Sequence, residues 1–189
     1  MTKHYLQAPW PDFSLDGVNY SLAHLAEYHL SAEDSDGNAR EILVIFSDHC
    51  FTDKDPANQA DSERLLYPAS ARQPGYFCLK RYGHSLSLLQ HIEAAKTRSV
   101  WNASGQNFAI VPTVTDDGHQ AYYAVIFGLR RLKAMPPFDL LMDVVSAYVV
   151  DDIKAFATYG VVGFKKLVTV TMQGRRLPTN HSSKRKRPG

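Results

Sequence analysis

Phe46-Ser47-Asp48-His49-Cys50-Phe51-Thr52 sets an imidazole beside a thiol where an apolar run meets a polar stretch. Reactive side chains are often displayed at such junctions, because a rigid element holds them while the adjoining loop keeps them accessible. A neutral imidazole there can take or give a proton near neutral pH, which makes His49 the first acid–base candidate. Cys50 is a poor partner for it as a nucleophile, since neighbours along a strand point to opposite faces. A structural histidine with a hydrogen-bonded ring is the plain competitor.

Other side chains add to this chemistry. His24 is a second acid–base candidate. Arg81, in the pair Lys80-Arg81, ends a predicted strand, as does the pair Arg130-Arg131. A guanidinium fork there can grip a phosphate and offset charge building on its oxygens. Along Asp143–Tyr148, strict alternation sends Val144, Ser146 and Tyr148 to one face and Asp143, Val145 and Ala147 to the other. Ser146 and Tyr148 can then donate to a phosphate, or be hydroxyls satisfied within a core. His49, Cys50, Cys78, His84 and His91 could ligate zinc, but no Cys-x2-Cys or His-x3-His spacing is present. No metal and no cofactor are therefore expected, and there is no phosphate-binding glycine loop, nucleotide fingerprint or Ser-His-Asp motif.

Charge is distributed unevenly. Residues 1–152 hold 12 Lys and Arg against 19 Asp and Glu, whereas residues 153–189 hold nine cations and no acid. A segment at +9 beside one at −7 points to a polyanionic partner for the C-terminal end. Arg175, Arg176, Lys184, Arg185, Lys186 and Arg187 are the expected contacts to nucleic acid, RNA rather than DNA, or to an acidic protein. The longest uncharged apolar stretch, Ala121 to Leu129, is far below the roughly 20 residues of a membrane span. With no secretory segment at the N-terminus and only two cysteines, the expected address is the cytoplasm, no membrane is involved, and the thiols are reduced.

These residues need elements to position them. Phe13-Ser14-Leu15, the turn pair Asp16-Gly17 and Val18 onward predict a hairpin. Leu25 to Leu30 reads as a strand or a short helix. Glu41 to Ser47 is apolar on both pleat faces and predicts an interior strand. Residues 52–75 carry three prolines and read as loop, with a short helix near Gln59 to Leu66. Tyr76 to Tyr82 reads as a brief strand. The principal helix is expected over 85–97, N-capped by Ser85, with Leu88, Leu89, Ile92 and Ala95 on one stripe. Asn107 to Val114 and Gln120 to Arg130 flank an Asp-Gly turn as a hairpin, followed by strands at Phe138 to Val150 and Lys165 to Met172. The expected fold is α+β with mainly antiparallel sheet, a single domain over residues 1–177 and a basic tail at 178–189.

Four segments carry a resemblance: Tyr20-Ser21-Leu22-Ala23-His24-Leu25, Ile45 to Thr52, Lys80-Arg81-Tyr82-Gly83-His84-Ser85 and Val145-Ser146-Ala147-Tyr148. Across about residues 20–150 the chain resembles a family of small, uncharacterised bacterial and phage-associated proteins. The late strands ending in Ser-Ala-Tyr are also similar to the compact sheet-plus-helix nucleases of the barnase, RelE and colicin type. That likeness implies a toxin-like, metal-independent endoribonuclease with an antitoxin-like partner. His49 and His24 would then move protons, Arg81 would clamp phosphate, and Ser146 and Tyr148 would donate hydrogen bonds. The alternative is a non-catalytic module that docks through its basic end.

The tail at 178–189 is expected to add affinity but not to take part in folding. It has nothing to bury, and its four-cation run suits an arm that binds by releasing counterions. Deleting residues 182–189 should leave the melting temperature unchanged while weakening RNA binding and flattening its salt dependence. Unaltered binding would reduce the run to a mere terminus.

Overall fold

The computed structural model of the chain describes residues 8–56, 61–69, 75–103, 106–114, 118–152, 160–175 and 177. Its elements are β1 (Phe13–Leu15), β2 (Val18–Tyr20), β3 (Tyr28–Glu33), β4 (Ala39–Phe46), β5 (Thr52–Asp53), α1 (Ser62–Leu65), β6 (Leu66–Tyr67) and β7 (Gly75–Phe77). They continue with α2 (Leu79–Ser85), α3 (Leu88–Ala95), β8 (Ser99–Ala103), β9 (Gln106–Val114), β10 (Gln120–Arg131), β11 (Leu140–Val150), β12 (Gly160–Gly163) and α4 (Phe164–Met172). Single 3-10 turns occupy Ala23–Leu25 and Asp48–Cys50. No helix among the described residues is long and apolar enough to cross a membrane.

Seven strands form one sheet in the order β12-β8-β9-β10-β11-β4-β3. Every pair is antiparallel except β11 with β4, which run parallel from Leu140 opposite Ile42 to Val144 opposite Phe46. The fold is α+β. As its apolar run requires, β4 is interior: Leu43 and Val44 point to opposite faces and are 3% and 0% exposed. The helices α3 and α4 bury Leu88, Ile92 and Ala95, and Phe164, Leu167 and Val168, against Val44, Val125, Phe127 and Met142 on one face of this sheet.

Several elements differ from the sequence reading. Lys165 to Met172 is not a strand but lies within α4. Its Val and Thr content favours strand, yet Phe164, Leu167 and Val168 fall at helical spacing, and their joint burial outweighs propensity. The hydroxyls of Thr169 and Thr171 donate to the carbonyls of Lys165 and Leu167, each at 2.9 Å, so no polar group is stranded. The helix expected over 85–97 is α3, Leu88–Ala95, and a further helix, α2, ends at Ser85. Ser85 does not cap α3; it closes α2, buried, donating to the Tyr82 carbonyl at 2.7 Å, and Ser87 stands at the N-cap of α3. Of the stripe read from the sequence, Leu88, Ile92 and Ala95 are buried and Leu89 is partly buried against the same core.

Residues 79–82 begin α2, so of the expected Tyr76–Tyr82 strand only Tyr76 and Phe77 fall in a strand, β7. The stretch read as loop from 52 to 75 supplies β5 and β6, which flank β7 in a second, three-stranded sheet of order β5-β7-β6. Aromatic packing explains it. Phe13 stacks on Phe77 at 4.5 Å, Phe51 meets Tyr67 edge-on at 4.9 Å, and Trp10 meets Phe51 at 5.7 Å. Such pairs add about 0.5–1.5 kcal/mol each beyond the area they bury, and they join residues far apart in the chain.

The β3–β4 turn sets the register of the strand that leads to His49. Asp34, 3% exposed, accepts from the backbone amides of Asp36 and Asn38, both at 2.9 Å, and from Arg40 Nε and Nη2 at 2.9 and 2.8 Å. Burial alone would raise its pKa, but Arg40 and the amide donors outweigh that and hold the carboxyl at about 2. A carboxyl depressed below its ordinary 3.8 stabilises the fold at neutral pH and loses that contribution as pH falls from about 4 to about 2. Asp34→Asn should therefore lower the melting temperature at pH 7, and the gap from wild type should close as pH is taken through that window. A constant gap would show that the charge is irrelevant.

Candidate functional site

The site begins with an irregularity in β11. Ile126 of β10 faces Ser146, but the next residue, Phe127, faces Val144, so Val145 is an extra residue. A bulge of this kind redirects the side chains beyond it. Val144 and Ala147 point into the main core, while Ser146 and Tyr148 point to the other face of the sheet. The expectation that Val144 shares a face with Ser146 and Tyr148 is corrected accordingly, because strict alternation cannot register an inserted residue.

The same bulge anchors the turn that carries His49. Ser47 donates its amide to the Val144 carbonyl at 2.9 Å and its hydroxyl to the Val145 carbonyl at 3.0 Å. Its Oγ also accepts from the His49 amide at 3.0 Å, capping the 3-10 turn Asp48–Cys50. In that turn, rather than in a strand, His49 is exposed while Cys50 is fully buried, its thiol donating to the Val144 carbonyl at 3.8 Å. Burial, reinforced by the Asp48 carboxylate, pushes the Cys50 thiol far above its usual range. A thiol held protonated is no nucleophile.

Strand β5 pairs with β7, with Thr52 opposite Phe77, and β7 leads into α2 and hence to Arg81. The guanidinium is held from three sides. Nη1 donates to the His49 carbonyl at 3.0 Å, Nε lies 3.3 Å from Asp53 Oδ2, and the group sits 5.5 Å from the centre of the Tyr148 ring. Such cation–π contacts contribute about 0.5–1 kcal/mol or more.

The result is a cleft of about 430 Å³ lined by His49, Arg81, Ser146 and Tyr148 together with Thr52, Asp53 and Lys54. Four of the five catalytic candidates thus meet in one place. Thr52 is buried and donates to the Asp48 carbonyl at 2.9 Å, so its role is to close the turn. The His49 imidazole, the Lys54 ammonium and the Ser146 and Tyr148 hydroxyls make no hydrogen bond or ion pair with any described residue. Two cations stand against one carboxylate, and donors outnumber committed acceptors. An anion of phosphate size fits that arrangement. Asp53 and Lys54 escaped the sequence reading because β5 is only two residues long and owes its shape to a distant strand.

His24 does not line this cleft. Ser85 spends its hydroxyl hydrogen on the Tyr82 carbonyl, so His24 Nε2 is the donor in its 2.8 Å contact with Ser85 Oγ. Its ring packs edge-on against Tyr82, and burial lowers its pKa. Arg175 is exposed just beyond α4. Arg176, Lys184, Arg185, Lys186 and Arg187 lie outside the described residues. Among the described residues no three His, Cys, Asp or Glu side chains come close enough to hold a metal ion. His84 and His91 instead pack on the Tyr123 ring, at 5.6 and 5.3 Å.

The profile of the YjaZ family matches residues 12–172. No curated protein and no solved structure matches the chain, so nothing in these comparisons ties it to the barnase, RelE or colicin nucleases.

Asp53 occupies the Arg81 edge that an incoming anion would use. Removing its charge should tighten orthophosphate binding by up to about fivefold, the scale of a partly exposed ion pair. Titration calorimetry on Asp53→Asn tests this. Weaker binding would mean that Asp53 positions Arg81 rather than competing with the ligand.

Proposed function

The chain belongs to the YjaZ family, and from that premise and the make-up of the cleft we propose that it acts on nucleic acid, binding a phosphodiester of RNA and cleaving it without a metal ion. The observation that carries this reading is the convergence of His49, Lys54, Arg81, Ser146 and Tyr148 around one cleft with uncommitted donors. In such cleavage a base removes the 2′-hydroxyl proton, O2′ bonds to phosphorus, and the bond to the 5′ oxygen breaks as that oxygen takes up a proton. His49 is the proton acceptor. Arg81 and Lys54 hold the non-bridging oxygens, where negative charge builds, and Ser146 donates a hydrogen bond. With His24 outside the cleft, the proton for the departing oxygen comes from Tyr148 or Lys54.

In this role the protein is toxin-like and prefers RNA to DNA. A second reading draws on the C-terminal excess of cations: a module that binds nucleic acid or an acidic protein without cutting anything.

His49→Gln separates the two. The imidazole is exposed and makes no hydrogen bond with described residues, so melting should be nearly unchanged. Loss of a proton-transfer group should lower RNA cleavage about 10²–10⁴-fold, measured with a chelator present. A wild type that binds RNA and leaves it intact under those conditions refutes the enzyme and leaves the binding module.

A further inference from the structure

The basic pair that ends β10 takes no part in the cleft. Arg131 faces Leu140 at the start of β11, and Ser146 lies further along that strand, roughly 20 Å away at the rise of an extended chain. Beside Arg131 the connection from β10 to β11 folds around a second hollow, of about 250 Å³. Its apolar wall is Met135, Pro136, Pro137 and Phe138 with Met172 of α4. Hydrogen bonds hold the connection in shape. The Leu132 amide donates to the Asp139 carbonyl at 2.8 Å and the Phe138 amide to the Met135 carbonyl at 2.9 Å. The Asp139 amide donates to the Glu41 carbonyl at 2.8 Å, and its carboxylate, the one on the wall, accepts from the Glu41 amide at 3.1 Å. The hollow is therefore built before anything enters it.

Three exposed cations stand around it: Arg131 on the wall, Lys133 in the connection, and Arg175, a short way beyond Met172. Neither Arg131 nor Lys133 makes a hydrogen bond or ion pair with any described residue, and Arg175 has only the side-chain oxygen of Gln173, at 3.4 Å. On the neighbouring β3–β4 hairpin, Glu33 and Asp34 are already paired with Lys165 and Arg40. The only acids outside the described residues are Asp116 and Asp117, which precede β10, whereas Arg131 ends it. The length of that strand, roughly 36 Å, separates the two ends.

Surplus positive charge at a preformed apolar hollow calls for an acidic ligand with something apolar to insert. We propose that this surface is the docking site for an acidic protein, one whose segment seats an apolar side chain among Met135, Phe138 and Met172 while its carboxylates meet Arg131, Lys133 and Arg175. The proposal goes beyond the cleft and does not rest on it. The hollow is smaller than the roughly 300–1,000 Å³ of small-molecule sites and suits a single side chain. Met, Phe and Arg are the residue types enriched where proteins meet, and a guanidinium fork matches a carboxylate in shape as well as charge. Nucleic acid would answer the charge but not the lining. Proline and methionine offer a base no ring to stack on, and the Phe138 ring is already met edge-on by His29 at 4.9 Å. The chain's own end is excluded by sign, since residues 178–189 carry cations and no acid.

The test exposes the full chain to a pool of displayed 12-residue peptides in which Asp or Glu alternates with Leu, Ile, Phe, Met or Trp. Wild type should retain peptides that the double variant Arg131→Glu, Lys133→Glu does not, with affinity for the variant at least about tenfold lower. Both side chains are exposed, so melting should be unchanged; should the double variant not fold, Lys133→Glu alone carries the comparison. Replacing the apolar residues of a retained peptide by Ser should also abolish its binding. A pool that yields nothing on wild type beyond what the variant retains overturns the proposal. Equal binding of the Ser peptide reduces the surface to bare charge and overturns it too. Displacement of the peptide from wild type by a 12-nucleotide RNA, but not from the cleft variant Arg81→Ala, gives the result to the cleft and overturns the docking site. A wild-type dimer that the double variant dissociates gives the surface to a second copy and does the same. Absence of RNA cleavage refutes the enzyme reading and leaves this result where it stands.

Discussion

The site depends on one extra residue in β11. Val145 has no partner of its own on β10, and its insertion gives two consecutive carbonyls, Val144 and Val145, that both accept from Ser47. Were Val145 paired in regular register, Ser146 and Tyr148 would turn to the core face, and the two carbonyls that anchor the 3-10 turn bearing His49 would no longer both meet Ser47. A bulge costs ladder hydrogen bonds, and here the hydrogen bonds of Ser47 and Cys50 make up for them. The irregularity thus both aims the hydroxyls and holds the imidazole.

A second constraint arrives through packing. The aromatic cluster of Phe13, Phe51, Tyr67 and Phe77 holds the small three-stranded sheet against the turn, and that sheet presents Asp53 and starts α2. Arg81 then reaches the cleft already engaged by a carbonyl, a carboxylate and a ring. A guanidinium fixed in this way loses little rotamer freedom when an anion binds, which favours recognition over non-specific charge. Lys54, exposed just beyond β5, is the opposite case, a point charge on a flexible stem.

The two faces of the sheet carry separate hydrophobic clusters. Its helix-covered side carries the stability of the fold, through Val44, Val125, Phe127 and Met142 against α3 and α4. The other side carries a smaller cluster around the buried Ala124 and Ile126, and Tyr148 links it to the cleft. The acidic balance of residues 1–152 makes the local cations at the cleft more telling, since the surrounding chain does not attract anions in general.

Local pattern alone determined much of this protein. The apolar run of β4, the hairpin of β9 and β10, the stripe on α3 and the charge split between the two ends are all properties of neighbouring residues, and burial leaves its period directly in the chain. His49, Arg81, Ser146 and Tyr148 were legible as chemically able for the same reason: residue type and position at an element's end. Their convergence was decided only by tertiary structure, because it depends on the parallel β11–β4 pairing and on a bulge, neither of which leaves a local trace. The same holds for α4, where docking overrode the strand preference of Val and Thr, and for His24, which shares His49's chemistry but was claimed by Ser85 and Tyr82. Periodicity reports how much of each residue is buried; it carries no information about which distant residue does the burying.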